Sequence, residues 1–253
     1  MFSSRRIAAF GLAALIVFGA TTGKAPAADE KLSPAQRKAI EEVVRQVLRD
    51  NPEILVEAIH AARAKQETDE RTRAAKALSE RRKDLERNPT SPVIGNPDGD
   101  VTVVEFFDYR CGFCKRAHPT MTELLKSDSK IRVVLKEFPI LGPESILASR
   151  AALAVHRMDP AKYRPFHDAL MTDRAAVSRE RVLQIAKSVG IDIGKLEKGL
   201  ADPAIDAIIG ETVELAQALG INGTPAFVIG DQIVPGAVDI DTLRQLVAKA
   251  RKG

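Results

Sequence analysis

Cys111-Gly112-Phe113-Cys114 stands where an apolar run, VTVVEFF at residues 101–107, gives way to a segment of helical character. These are the only two cysteines in 253 residues. Two cysteines placed at random in such a chain fall three apart only about 1% of the time, so the spacing carries information. The flanking pattern constrains the fold as strongly. A second β-type run, IRVVLKEF at 131–138, ends at Pro139. Strand, helix, strand makes a βαβ unit with Cys111 at the N-terminus of its helix. There the unpaired N–H groups and the positive end of the helix favour a thiolate. Such a thiolate can attack a disulfide, and a second cysteine one turn on can resolve the mixed disulfide.

A metal site competes with that reading. Cys111, Cys114 and His118 give C-x2-C-x3-H. A structural zinc asks for four ligands, and the chain has no second Cys/His pair at zinc spacing. Two thiolates suit Cu(I). His118 alone reads as an ordinary helix-surface histidine. His60, His156 and His167 fall on separate helices with no evident partner.

The start of the chain decides what the thiols mean. Basic residues at 5–6 precede an apolar run at 7–20 and a small-x-small site, Ala25-Pro26-Ala27. This is the pattern of a cleaved secretory signal, and the run is short for a membrane span, although an uncleaved anchor is the alternative. Cleavage after Ala27 removes Arg5, Arg6 and Lys24, taking the formal charge from +4 to +1. A nearly neutral chain lacks the clustered cations of a nucleic-acid binder. In an oxidising compartment a C-x-x-C pair can be a working disulfide.

Residues 31–90 are rich in charge and helix formers. Ser33-Pro34 reads as N-cap and first helical position. Ile40, Val43, Val44, Val47 and Leu48 recur at helical spacing, and Asp50-Asn51-Pro52 breaks the helix before Ile54, Leu55 and Ile59. Such a short amphipathic helix needs a partner surface, either the main domain or copies of itself. From 61 to 87 the sequence predicts a solvated helix or linker arm, with Leu78 and Leu85 as isolated apolar points. Residues 144–219 are mainly helical. GTPAFVIGDQIVPGA at 223–237 predicts a hairpin turning at Gly230-Asp231, and Asp239 or Asp241 caps a closing helix.

Together, VVEFFDYRCGFCK, the helical insertion at 144–219, GTPAFVIG and Pro119 resemble the DsbA family of thioredoxin-fold envelope oxidoreductases. The resemblance covers about residues 91–253. It implies an α/β thioredoxin fold with a helical insertion, behind an N-terminal helical arm. It also implies roles. Cys111 is the nucleophile and Cys114 the resolving thiol. Thr224-Pro225 is the cis-proline loop that holds substrate backbone, although X–Pro bonds are by default mostly trans. Gly112 and Phe113 form the dipeptide that meets substrate. Glu105 is the buried carboxylate able to move the resolving thiol's proton; the plainer reading is an edge glutamate facing water.

Gly112-Phe113 and Thr224 are closer to the dimeric isomerases than to the strongly oxidising members. The helices at 31–59 resemble the oligomerisation segment of ScsC-type proteins. The expected organisation is a signal peptide at 1–27, an oligomerisation segment at 28–60, a charged linker at 61–90 and a DsbA-like domain at 91–253. The expected function is an oligomeric disulfide isomerase or reductase in the periplasm, with attachment to the outer membrane a further option. It needs no cofactor beyond the Cys111–Cys114 disulfide. Its partners would be misfolded secreted proteins and a membrane redox protein, with homo-oligomer contacts through residues 31–60. The alternatives are a monomeric DsbA-like oxidase and a copper-binding envelope protein using the two thiols.

Overall fold

The computed structural model describes residues 32–252; the signal-peptide reading lies outside them. The chain divides into two compact units, one ending at His60 and the other Ala61–Gly253. Helix α1 (Pro34–Asp50) begins with a capping box. Ser33 Oγ accepts from Gln36 N–H, and the Gln36 side chain accepts from Ser33 N–H. Asn51 ends it, and Pro52 opens α2 (Pro52–Glu80), as the Asp-Asn-Pro break predicts. Ile40, Val43, Val44, Val47, Leu48, Ile54, Leu55, Val56 and Ile59 are all exposed. Among the described residues this apolar stripe is left uncovered.

The second unit is built on a five-stranded sheet. Its elements are α3 (Arg82–Glu86), β1 (Val93–Gly95), β2 (Val101–Phe107), α4 (Gly112–Ser127), β3 (Ile131–Glu137), α5 (Pro143–Met158), α6 (Pro160–Thr172), α7 (Arg179–Ser188), α8 (Ile193–Leu200), α9 (Pro203–Ala218), β4 (Ala226–Ile229), β5 (Gln232–Pro235) and α10 (Ile240–Ala250). The strand order is β1-β3-β2-β4-β5. β2 and β3 are parallel with α4 as the crossover, and the other pairings are antiparallel. This is a thioredoxin-like sheet with a helical insertion, α5 to α9, between β3 and β4.

β2 is central, and side chains alternate between its faces. Val103 and Phe107 point into a core shared with α4, α10 and the insertion, and that core contains both cysteines. Val104 and Phe106 point into a second core on the opposite face, with Leu215 and Leu219. Leu78 and Leu85 belong to this second core and are fully buried. Charge periodicity predicts a solvated arm there. A helix needs only one or two apolar contacts to dock when its charged groups find partners at the rim. Here Lys136 Nζ donates to Asp84 O and Ser91 Oγ, both at 2.8 Å, and Arg82 pairs with Asp231. Among the described residues no helix is long and apolar enough to cross a membrane.

Candidate active site

The site lies where β2 ends. Asp108 follows the strand, and its backbone oxygen accepts from Cys111 N–H at 3.1 Å. Its carboxylate is buried and accepts from Arg110 N–H at 2.7 Å, Leu141 N–H at 3.1 Å and Ser145 Oγ at 2.8 Å. One side chain thereby fixes the turn into α4 against the start of α5. Arg110 makes a second tie, donating to Leu141 O and to Glu144 Oε2.

Cys111 is the N-cap of α4, as the strand-to-helix spacing predicts, and its sulfur accepts from Cys114 N–H at 3.4 Å. Cys111 retains 6% of its exposure and Cys114 none. The pair is in the dithiol form. Burial pushes the Cys114 thiol up, and the nearby Cys111 and Glu105 add to this; a hydrogen bond involving the Asp108 backbone acts against it. An outside disulfide can meet Cys111, while Cys114 can react only inward.

The loop before β4 faces the pair. The register sets Ala226 opposite Phe106, so Thr224-Pro225 lies beside the end of β2. The Thr224–Pro225 bond is cis. The Cys111 thiol donates to Thr224 O at 3.2 Å. Glu105 stands between Leu135 and Phe227 on the neighbouring strands. Alternation gives it the face of Val103 and Phe107, toward the cysteines rather than toward water. It is buried, and that burial raises its carboxyl to about 8. Gly112 is exposed at the first turn of α4. Phe113 is 59% exposed, with the Arg116 guanidinium 4.2 Å from its ring centroid.

Two features escape a sequence reading. Lys115 Nζ donates to Asp173 O at 2.5 Å, and partial burial lowers its ammonium from the usual range. The second is a polar knot under the site. Tyr109 and Tyr163 hydroxyls donate to Glu137 Oε1 at 3.1 and 2.9 Å, and Ser149 Oγ donates to Oε2 at 2.8 Å. Tyr109 also meets His167 Nδ1 at 3.0 Å. Burial raises Glu137 to about 8 and lowers His167 to about 3. His118 and His167, which look unrelated in the sequence, have ring centroids 5.4 Å apart. Only the packing of α4 on α6 brings them together.

Residues 102–248 match the model of the DSBA-like thioredoxin domain, and residues 36–68 match that of the copper resistance protein ScsC N-terminal domain. Among solved structures, a thioredoxin-like oxidoreductase from Silicibacter pomeroyi DSS-3 is 45% identical. It covers 68% of this chain and 98% of its own, with a TM-score of 0.66. A linker-deletion mutant of Proteus mirabilis ScsC is 33% identical, covering 88% of this chain and 98% of its own, at a TM-score of 0.66. The curated relatives include the Na(+)/H(+) antiporter NhaA 1 of Salinispora arenicola, 30% identical over 163 residues. That match takes in 64% of this chain and 25% of the antiporter, so the chain spans about a quarter of that relative's length.

Proposed function

The chain belongs to the DsbA-like thioredoxin family, and from that premise we propose that it is a periplasmic protein disulfide isomerase or reductase working as a homo-oligomer. The observation that carries the redox chemistry is the placing of Cys111 as N-cap of α4, over a buried Cys114 and beside Thr224 O.

The Cys111 thiolate attacks one sulfur of a client disulfide. A bond forms between Cys111 and that sulfur, and the client's other sulfur leaves as a thiolate. In isomerisation, the freed client thiolate attacks a further client disulfide, and the thiolate released there attacks the client sulfur of the mixed disulfide, so that Cys111 leaves as the thiolate it began as. In reduction, Cys114 gives up its proton and attacks Cys111, releasing the second client thiolate. The enzyme is left with a Cys111–Cys114 disulfide, and the client has gained two electrons. Glu105 would take the Cys114 proton as base, a role its burial on the cysteine face of β2 supports. A membrane redox protein would reset the pair.

The exposed stripe from Ile40 to Ile59 supports assembly. An amphipathic helix of this length is marginal alone and gains stability by burying its apolar face. Copies joined there would place several dithiols on one client, raising the effective concentration of the second.

The test is reactivation of a scrambled-disulfide protein by the full chain and by a chain starting at Ala61, which keeps Leu78 and Leu85. Isomerase activity lost from the shorter chain, with both thiols intact and reactive, supports the reading. Equal and poor activity in both overturns it and leaves a monomeric oxidase. Loss of bound copper, rather than of mixed disulfide, in a Cys114→Ser variant would favour the copper-binding alternative.

A further inference from the structure

We propose that His118, His167 and Asp168 form a binding site for a divalent first-row transition metal ion, Zn(II) or Cu(II), between α4 and α6. It is separate from the two thiols. The three side chains bring one ligand atom each to within 4.8 Å of one another. His118 Nε2 already lies 3.4 Å from Asp168 Oδ1. An ion bound at about 2.0–2.2 Å from each atom requires separations of about 3.4 Å, so the three side chains must close in on it by rotation. Two imidazoles and a carboxylate suit Zn(II) and Cu(II) better than Mg(II) or Ca(II), which take oxygen ligands.

His167 is already set up as a ligand. Phe107 packs edge-on to its ring at 5.0 Å, and Tyr163 stacks on it at 5.8 Å. His167 Nδ1 faces the Tyr109 hydroxyl at 3.0 Å, which leaves Nε2 as its ligand atom. With Tyr109 donating to Glu137, its oxygen can accept from His167 Nδ1–H, the tautomer in which the Nε2 lone pair is free. A ligating histidine characteristically donates its other N–H to an outer partner, and here the relay runs His167 to Tyr109 to Glu137.

One cation stands close by, on a half-exposed side chain. Arg164 Nε lies 3.8 Å from Asp168 Oδ2, the oxygen not facing His118. Entry is open on one side, since the Asp168 side chain is 42% exposed while that of His118 is 11% exposed. With three protein ligands, a fourth position remains for water. An ion there would tie α4, whose first turn carries the dithiol, to the helical insertion. His118 follows Cys114 by four residues, one helical turn along the same face.

The experiment uses the full chain oxidised to its Cys111–Cys114 disulfide, so that neither thiol can bind metal. Zn(II) is titrated by calorimetry, and the melting temperature is followed with and without it. The expected result is one equivalent bound and a raised melting temperature. Asp168→Asn and His118→Gln should each weaken binding at least about tenfold, and Tyr109→Phe about 10- to 100-fold through the lost relay. Asp168→Asn sits at a half-exposed position and keeps its fold, which circular dichroism verifies. Absence of Zn(II) binding by the disulfide form overturns the proposal. So does binding that Asp168→Asn and His118→Gln leave unchanged, or binding confined to the reduced form and lost in Cys111→Ser.

Discussion

The Cys111 thiol donates to the carbonyl oxygen of Thr224 at 3.2 Å, while the same sulfur accepts from the N–H of Cys114 at 3.4 Å. The two contacts serve different protonation states. The thiol needs an acceptor and finds Thr224 O. The thiolate needs a donor and keeps Cys114 N–H. When the proton leaves, Thr224 O is free to accept from the backbone of an extended client lying against the loop.

With Cys111 the only thiol that outside sulfur can reach, Cys114→Ser will stop the resolving step. Mixed disulfides with client proteins will accumulate through Cys111 and appear as reducible adducts by mass spectrometry. Cys111→Ser will form none. Adducts through Cys114 in that second variant would contradict the division of roles.

Glu105 gives a pH signature. Burial holds its carboxyl at about 8 in the folded chain, against 4.5 for an ordinary glutamate. The native state therefore binds the proton more tightly than the unfolded chain does. Its contribution to stability is complete below pH 4.5 and is lost as pH rises through 8, a fall on the order of a few kcal/mol. Glu105→Gln will flatten part of this slope in chemical denaturation, leaving the share due to Glu137, which is also raised to about 8. The same variant will slow closure of the Cys111–Cys114 disulfide on the order of 100-fold, and the rate will lose its rise toward pH 8. An unchanged pH profile would leave Glu105 without a role in proton transfer.

Much of the site is legible in the residues because its parts are local or sit at marked positions. The cysteine pair, the strand before it and the hairpin after Pro225 each carry their own pattern. The inward face of Glu105 follows from alternation with Val103 and Phe107. The buried side of residues 78–85 is hidden, because two leucines in a charged run cannot outweigh the average that a periodicity reading takes. β1 is missed for a similar reason: three residues between turns carry no period. The group around Glu137 and His167 joins residues of β3, α4, α5 and α6. No spacing rule connects positions brought together by helix packing alone.

Leu85 is fully buried in the second core. Leu85→Ala will cost about 2–5 kcal/mol and lower the melting temperature on the order of 10 °C. A change under about 1 °C would mean that α3 does not support the catalytic unit.

Val43 and Val47 sit one turn apart on the exposed stripe of α1. Val43→Asp with Val47→Asp will shift the chain to a smaller species in sedimentation analysis. Its reaction with a small disulfide will be unchanged. A monomeric wild-type chain in the same analysis would refute assembly through this face.

The chain has no tryptophan and only two tyrosines, and both Tyr109 and Tyr163 hydrogen-bond to Glu137 beneath the dithiol. Its tyrosine emission therefore comes from one spot. A change there, whether a proton moving on Glu137 or a shift of α4 on disulfide closure, alters the light of the whole protein. The molecule carries its own tyrosine reporter, without a label.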